Sequence, residues 1–513
     1  MIHFLKKTVK ILTHRAFLIP LMMLAQIAII LIILLRFRQY LLPFYILCLL
    51  ISIITTVHII NGKSNPGYKI AWIVPIMGMP VFGVLIYSIF GGNSLGKKEK
   101  EKLKKLYNKE KEHLGKKDLN LEEIRYENES AYTQAKYIHS YSLSTVSKHT
   151  KTTYYPEGKI YYNRLLEELK KAKKYIFIES YIIAKGKMLN TILTILKQKI
   201  EQGVEVRIIY DDFGCLTTLP NKYEEKLNKI GIKTVIFGKL GPNLRSKFNN
   251  RDHRKIVVID GYTSFTGGIN IADEYINEKR RFGYWKDNGI MLEGGATWNL
   301  AIKFLSMWDF ITETESNYEK YEPSHDLVYN TQTDGYVIPY TDSPWDNEAV
   351  GENVYLNLIN KANRYIYITT PYLILDNEMI TALTNAAKRG VDVNIITPGI
   401  PDKKIVNEVT KAYYEELLES GIKIYEYKKG FIHTKTFIID DIYATIGTIN
   451  LDYRSLYLNF ECGIWLYSCH TIQNIKADFL KTIKESRKID KIIYKTKMHR
   501  LKVQFLKVFA PLM

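Results

Sequence analysis

The chain has 513 residues, of which 46% are hydrophobic, and a formal net charge of +19 at pH 7. That length suits two or three domains, and the charge points to either nucleic acid or an anionic lipid surface. Cys48, Cys215, Cys462 and Cys469 show neither paired metal spacing nor a disulfide framework, which agrees with a reducing compartment.

The hydrophobic residues are unevenly spread. Residues 16–35 and 41–60 carry no formal charge, and 70–90 form a third apolar stretch interrupted by Gly and Pro. Each approaches the ~20 residues that cross about 30 Å of hydrocarbon. The first stretch comes after Lys6, Lys7, Lys10 and Arg15, as in a signal peptide. It is longer than a signal core and lacks a small-residue cleavage site near its end, so it reads as a retained anchor. Eight lysines lie between Lys97 and Lys111 against three glutamates, which predicts that the large polar domain is cytoplasmic. Three spans would leave the basic N-terminus outside, whereas two spans with one segment in the interface would not. Both arrangements stay open. The expected organisation is a multi-pass membrane anchor over 1–92 and a basic juxtamembrane linker over 93–135. A first α/β half is expected over 136–330 and a second over 331–513.

The halves repeat. YIFIESYII at 175–183 predicts a strand, a helix extends to about Gln202, and GVEVRIIYDD at 203–212 predicts the next strand. YIYITTPYLI at 365–374, a helix over 378–389 and GVDVNIITPG at 390–399 return in the same order. If the halves pack about an approximate twofold axis, equivalent strand ends face one shared cleft.

Each half then carries a His-x-Lys-x-x-x-x-Asp motif: HRKIVVID at 253–260 and HTKTFIID at 433–440. His253 and Lys255 share one side of a strand, as do His433 and Lys435. Asp260 and Asp440 close the motifs, and Gly267, Gly268 and Asn270 in one half match Gly447, Thr448 and Asn450 in the other. Lysines among small residues suit a bound phosphate, and carboxylate clusters with metal spacing are missing from the motifs, so no metal or other cofactor is expected. One neutral histidine can attack phosphorus while the other protonates the departing alkoxide. Lys255, Lys435, Asn270 and Asn450 are expected to hold nonbridging oxygens. Asp287 and Glu461, 34 and 28 residues after His253 and His433, are candidate orienting acids. Asp260 and Asp440 suit the orientation of loops or lysines better than proton transfer.

The paired motifs resemble the phospholipase D superfamily. More specifically, GFIHTKTFIIDDIYATIGTINLDYRSLYLNFE at 430–461, RDHRKIVVIDGYTSFTGGIN at 251–270, IYITTPYLILD at 366–376 and NPGYKIAWIVPIMGMPVFGVLIY at 65–87 resemble bacterial cardiolipin synthases. The resemblance implies duplicated phospholipase D-like α/β halves sharing one cleft, behind N-terminal transmembrane helices. It implies transfer of a phosphatidyl group between two phosphatidylglycerol molecules, with cardiolipin and glycerol as products. His253 takes the nucleophile position and His433 the general-acid position, Lys255, Lys435, Asn270 and Asn450 match the family's lysines and asparagines, and Asp260, Asp440, Asp287 and Glu461 match its acids. The expected partner is anionic phospholipid, with no nucleic acid. A phospholipase D-type hydrolase, another phosphatidyltransferase and a superfamily nuclease are the competing readings; the membrane segments weigh against the nuclease. Asp452, Arg454 and Ser455 are candidates for securing the second loop, Glu179 for the cleft or a buried network. The basic, apolar C-terminus HRLKVQFLKVFAPLM is expected either on the membrane or closing the soluble domain.

Overall fold

The computed structural model describes residues 24, 27–29, 31–32, 40–92, 95–114, 118–239, 249–331, 335–491 and 496–512. Most of the first apolar stretch and the basic residues before it lie outside these. The chain divides into two compact units, one of Met1–Ser94, Leu240–Asn249 and Val508–Leu512, the other of Leu95–Lys239 and Asn250–Lys507 with Met513.

In the first unit, α1 spans Leu41–Asn61, α2 Pro66–Gly78 and α3 Pro80–Phe90. Among the described residues α1 is the one helix long and apolar enough to cross a membrane. At about 1.5 Å per residue it covers roughly 30 Å, and it turns Leu42, Leu50, Ile54 and Ile60 outward. The third apolar stretch is not a single span. It is broken at Met79, whose φ of −140° leaves the helix just before Pro80 opens the next one. A residue preceding proline is driven toward extended backbone, and proline lacks the N–H that would continue the ladder. Helices of 13 and 11 residues result. They fold back closely: a Cβ on Gly83 would meet the Pro75 carbonyl oxygen at 2.4 Å, so glycine is what allows α3 to touch the backbone of α2.

The second unit holds both halves. The first contributes β1 (Thr150–Tyr155), β2 (Tyr175–Ser180), β3 (Glu205–Asp211), β4 (Lys233–Phe237), β5 (Arg251–Asp252), β6 (Lys255–Ile259), β7 (Thr263–Gly267), β8 (Tyr284–Lys286) and β9 (Gly289–Gly294). The second contributes β10 (Tyr336–Asp342), β11 (Tyr365–Thr369), β12 (Asp392–Pro398), β13 (Lys423–Tyr427), β14 (Gly430–Ile432), β15 (Thr436–Ile439), β16 (Tyr443–Gly447), β17 (Asn459–Tyr467) and β18 (Ser486–Ile489). The sheets run β1-β9-β7-β6-β2-β3-β4 and β10-β17-β16-β15-β11-β12-β13-β18. With β17 matching β9, the same strand order is built twice, as the repeated sequence pattern predicts. Both sheets are mixed, with β2–β3–β4 and β11–β12–β13 parallel and the rest antiparallel.

Alternation along β6 shows how the sheet is held. Ile256 and Val258 enter a core that also contains Ile438, Ile446 and Ile464 of the other half, while Val257 and Ile259 face a second core beneath the first half's own helices. A strand buried on both sides needs apolar residues at every position, which IVVI supplies. The long helix Ala296–Thr312 packs into the shared core through Leu300, Phe304 and Leu305. The stretch expected as a basic linker is structured: Lys97–Leu114, Leu119–Glu127 and Glu129–Tyr141 are helices, and Leu106, Leu114, Ile124 and Ile138 are buried. One apolar stripe docks on the body, and Lys102 and Lys109 reach it as well, Lys109 pairing with buried Asp309 at 3.4 Å, while Lys104 and Lys105 stay exposed.

The two halves also exchange short strands. β5 of the first pairs in parallel with Asn459–Phe460 of β17, and β14 of the second pairs in parallel with β8. These reciprocal pairs place each motif histidine.

Candidate active site

Each histidine comes directly after an exchanged strand, and its backbone N–H donates to the opposite half: His253 to Phe460 O at 2.9 Å, His433 to Lys286 O at 2.7 Å. The next residues along the chain from those acceptors are Glu461 and Asp287. His253 Nδ1 lies 2.9 Å from both Glu461 carboxylate oxygens, and His433 Nδ1 lies 2.7 Å from Asp287 Oδ2. Each motif histidine thus has one of the two expected acids at its Nδ1, but crossed. Each half supplies the acid for the other half's histidine. With Nδ1–H donating to the carboxylate, Nε2 is left for chemistry.

The acids sit in matching places with unlike surroundings. Gly268 leaves room for Asp287, since a Cβ there would meet Asp287 Oδ1 at 2.0 Å. At the matching position Thr448 donates its hydroxyl to Glu461, and Asn459 Nδ2 donates to it at 3.2 Å. The Gly-Gly and Gly-Thr pairs of the sequence thus accommodate a short acid and a long one.

Lys255 and Lys435 are buried, and each Nζ donates to the carbonyl of its own motif histidine, Lys255 at 2.6 Å. Burial pulls the Lys255 ammonium down to about 8 and Lys435 to about 7, against the neighbouring carboxylates Glu461 and Asp287. Burial likewise lowers His253 to about 4, with Glu461 opposing and Lys255 and Lys435 assisting. His433 is held well below its usual range by burial, then by Lys435, Lys255 and His253. Asp287 is pushed up to about 7 by burial, although Lys435 and Lys255 oppose that shift. Groups from both halves thus act on one another across a single buried site. Two buried ammonium groups at one site favour an anionic substrate.

Asp260 and Asp440 do not join this site; of the two duties expected of them, orienting loops or orienting lysines, their contacts serve the loops. They close the far ends of β6 and β15, about 16 Å along the strand from the motif lysines at ~3.3 Å per residue. Asp260 accepts the N–H groups of Lys173, Lys174 and Tyr175 at 2.7–2.8 Å, and Asp440 those of Asn363, Arg364 and Tyr365 at 2.7–2.9 Å. Both take positive φ, 53° and 56°. They fix the turns that start β2 and β11. The asparagines also serve the scaffold: Asn270 accepts from Ile182 N at 2.9 Å and donates to Tyr275 OH at 2.6 Å, and Asn450 donates to Ser455 Oγ at 3.0 Å. Both reach five residues ahead. Asp452 caps the helix Tyr453–Tyr457 through Ser455 N at 2.8 Å, securing the second loop.

Glu179 belongs to a buried network, ion-paired with Arg254 at 2.5 Å, while Arg254 also meets Asp252 at 3.0 Å. Sequence reasoning missed the aromatic walls, Tyr181 at 5.1 Å from the His253 ring and Tyr275 at 5.6 Å from that of His433. For Tyr275 the signal was its place five residues after Asn270, where the second half has Ser455 after Asn450. Among the described residues, the carboxylates close enough together to hold a metal ion are Glu352, Asp376 and Glu378, and none belongs to the histidine site.

Comparison with known proteins agrees with this architecture. A family model for the cardiolipin synthase, PLD-like domain, matches residues 165–285 and again 355–483, and a phospholipase D-nuclease N-terminal model matches 50–92. The chain is 34% identical to a cardiolipin synthase of Alkalihalophilus pseudofirmus, covering 88% of this chain and 90% of that one. It is 35% identical to a cardiolipin synthase of Geobacillus sp., covering 86% and 88%. An uncharacterized protein of Streptococcus mutans is 45% identical over 85% of this chain and 94% of its own. A phosphatidylserine synthase structure from Haemophilus influenzae shares the fold, at a TM-score of 0.54 and 15% identity over 71% of this chain and 95% of that one. The chain belongs to the cardiolipin synthase family, phosphatidyltransferases built on paired phospholipase D-like domains.

Proposed function

We propose that this member of the cardiolipin synthase family transfers a phosphatidyl group from one phosphatidylglycerol to another, giving cardiolipin and glycerol through a phosphohistidine on His253. The observation that carries the reading is the pair of histidines held at Nδ1 by crossed carboxylates, with two buried lysines acting on both. In the first step the Nε2 lone pair of His253 attacks phosphorus. The bond from phosphorus to the glycerol oxygen breaks, and that oxygen takes the proton of His433 Nε2. In the second step a glycerol hydroxyl of the acceptor lipid attacks phosphorus and gives its proton back to His433, while the N–P electron pair returns to His253. Lys255 and Lys435 neutralise the nonbridging oxygens throughout.

The unequal surroundings of the histidines support this division of roles. Asp287 is raised and His433 lowered, so the pair retains a proton near neutral pH that an arriving phosphodiester would draw to the imidazole. His253, lowered to about 4, is neutral and able to attack. The exchanged strands leave each half short of one acid, so both halves act as one site. The lysines between Lys97 and Lys111 favour a cytoplasmic position for the catalytic unit, with α1 in the plasma membrane.

The test is a reconstituted assay with labelled phosphatidylglycerol and no added nucleotide or metal, tracking cardiolipin, glycerol and phosphatidic acid together. Equal release of cardiolipin and glycerol is expected. Phosphatidic acid without cardiolipin would make the enzyme a hydrolase, and dependence on a nucleotide-activated donor would make it a different phosphatidyltransferase.

A further inference from the structure

The C-terminal helix Lys497–Val508 is amphipathic, yet it presents much of its apolar face outward. Val503 is its buried residue, while Met498, Leu501 and Phe505, one helical face at spacings of three and four, are 73%, 58% and 64% exposed. A helix that merely closed a soluble domain would turn that face inward. The same sequence carries Lys497, Arg500, Lys502 and Lys507 and no acid. The helix is fixed to its neighbours by charge: Lys502 pairs with Glu408 at 2.8 Å, Arg500 with Glu415 at 3.7 Å, and the Lys507 ammonium lies 4.3 Å from the Tyr413 ring.

Glu408 lies on the helix Lys404–Ala412, whose Ile405 is 55% exposed, and Ile400 just before it is also exposed. This segment borders the site. Ile400 N donates to Gly430 O at 3.3 Å, at the start of the strand leading to His433, and the Lys403 charge helps lower His433. Lys403 also sits 5.2 Å from the Tyr372 ring, which packs on Phe431 beside His433. At the position of the first half equivalent to Ile400, after the third strand, stands Phe213, again exposed.

We propose that Ile400, Ile405 and the Met498–Leu501–Phe505 face form a surface that inserts into an anionic lipid bilayer and seats the catalytic unit with the His433 side of its site against the headgroups. This rests on the phospholipid reading above. Apolar side chains at the centre with cations along the same helices fit the boundary between acyl chains and anionic headgroups. A soluble protein partner would have to neutralise the same cations without the acyl phase that the apolar face calls for.

The test uses the full chain in phosphatidylglycerol-containing proteoliposomes, with single nitroxide labels on cysteines introduced at Ile405, Leu501 and, as a control, exposed Lys197. The native cysteines are buried, so labelling is directed to the new ones. Labels at positions 405 and 501 are expected to relax strongly with dissolved oxygen and weakly with a water-soluble nickel chelate, and the label at 197 the reverse. Water-type relaxation at 405 and 501 would overturn the proposal. So would labels there shielded from both relaxants, which would point to a second copy or a protein partner.

A second measurement uses Ile405→Glu/Leu501→Glu and compares cardiolipin formation from bilayer phosphatidylglycerol with that from dispersed short-chain phosphatidylglycerol. The bilayer-to-dispersed ratio is expected to fall about tenfold or more, the scale of withdrawing two large apolar side chains from an apolar phase. An unchanged ratio would overturn the docking surface. No cardiolipin from either bilayer or dispersed substrate with the unaltered enzyme would instead overturn the catalytic reading, whatever the labels report.

Discussion

In the first half the residue after the motif histidine is Arg254, buried and ion-paired with Glu179 and Asp252; in the second the same place is taken by Thr434, and the place of Glu179 by Thr369, which shares a 2.7 Å hydrogen bond with Thr436. The strand order, the exchanged strands and the crossed acids are the same in both. What differs is the layer behind them, charged in one half and neutral in the other. Duplicated geometry therefore does not need duplicated chemistry, and the histidines can diverge in role while keeping one frame.

The largest expected effect would break the equivalence outright. His253→Ala should abolish both cardiolipin formation and the covalent adduct. His433→Ala should lower turnover with phosphatidylglycerol by about 10²–10⁴-fold, yet still accept the phosphatidyl group from a p-nitrophenyl donor, whose leaving group needs little protonation. Mass spectrometry under acid-sparing conditions locates the adduct. Finding it on His433 and not on His253 would exchange the two roles.

The layer behind the histidines gives the next contrast. Arg254→Met leaves two buried acids without their cation and should cost about 3–5 kcal/mol in denaturant unfolding. Thr434→Val should cost less than about 1 kcal/mol or stabilise, because the Thr434 hydroxyl is buried and has no hydrogen-bond partner among the described residues. Equal losses would mean that the two layers are not distinct in energy.

Smaller effects sharpen the crossing. Asp287→Asn and Glu461→Gln should each lower turnover at least about 10–100-fold, the scale for losing a carboxylate that orients a metal-bound imidazole. Asp287→Asn should regain activity with the p-nitrophenyl donor, as His433→Ala does, although Asp287 belongs to the half of His253. Glu461→Gln should not. If each acid instead shared the phenotype of its own half's histidine, the crossed assignment would fall.

The mildest test is titration. In the free enzyme kcat/KM should fall as pH drops through about 4, where His253 gains a proton and loses its attacking lone pair. It should also fall as pH rises through about 7 to 8, where Asp287 and Lys435, and then Lys255, lose their protons. A flat profile from pH 6 to 10 would show that neither lysine contributes as an ammonium.

Much of this frame was legible from residues 175–212 and 365–399, because a buried strand succeeded by an amphipathic helix leaves a periodic pattern that repeats. The motif histidines and lysines were legible because two copies share their context. The crossing was not, since β5 and β14 are short and pair across more than 140 positions, and no local pattern records such a partner. Asp260 was legible as an acid that orients a loop or a lysine, but its spacing from His253 could not say which, because the loop it holds, at 173–175, lies more than 80 positions earlier. Likewise, the apolar content of 70–90 was plain, whereas the break at Met79 depends on one proline's effect on the residue before it.

The exchanged strands also set a clock. His253 waits for Glu461, which is joined to the chain 208 residues later. At about 5–20 residues per second of synthesis, that is on the order of 10–40 s. Throughout that interval a ribosome-bound chain already carries one histidine-lysine motif but lacks the carboxylate that orients it, and the second motif's histidine is also made before Glu461 is complete. The reaction centre is thus among the last parts of the molecule to be finished: a chain ending before residue 461 would carry both motif histidines without the acid for His253.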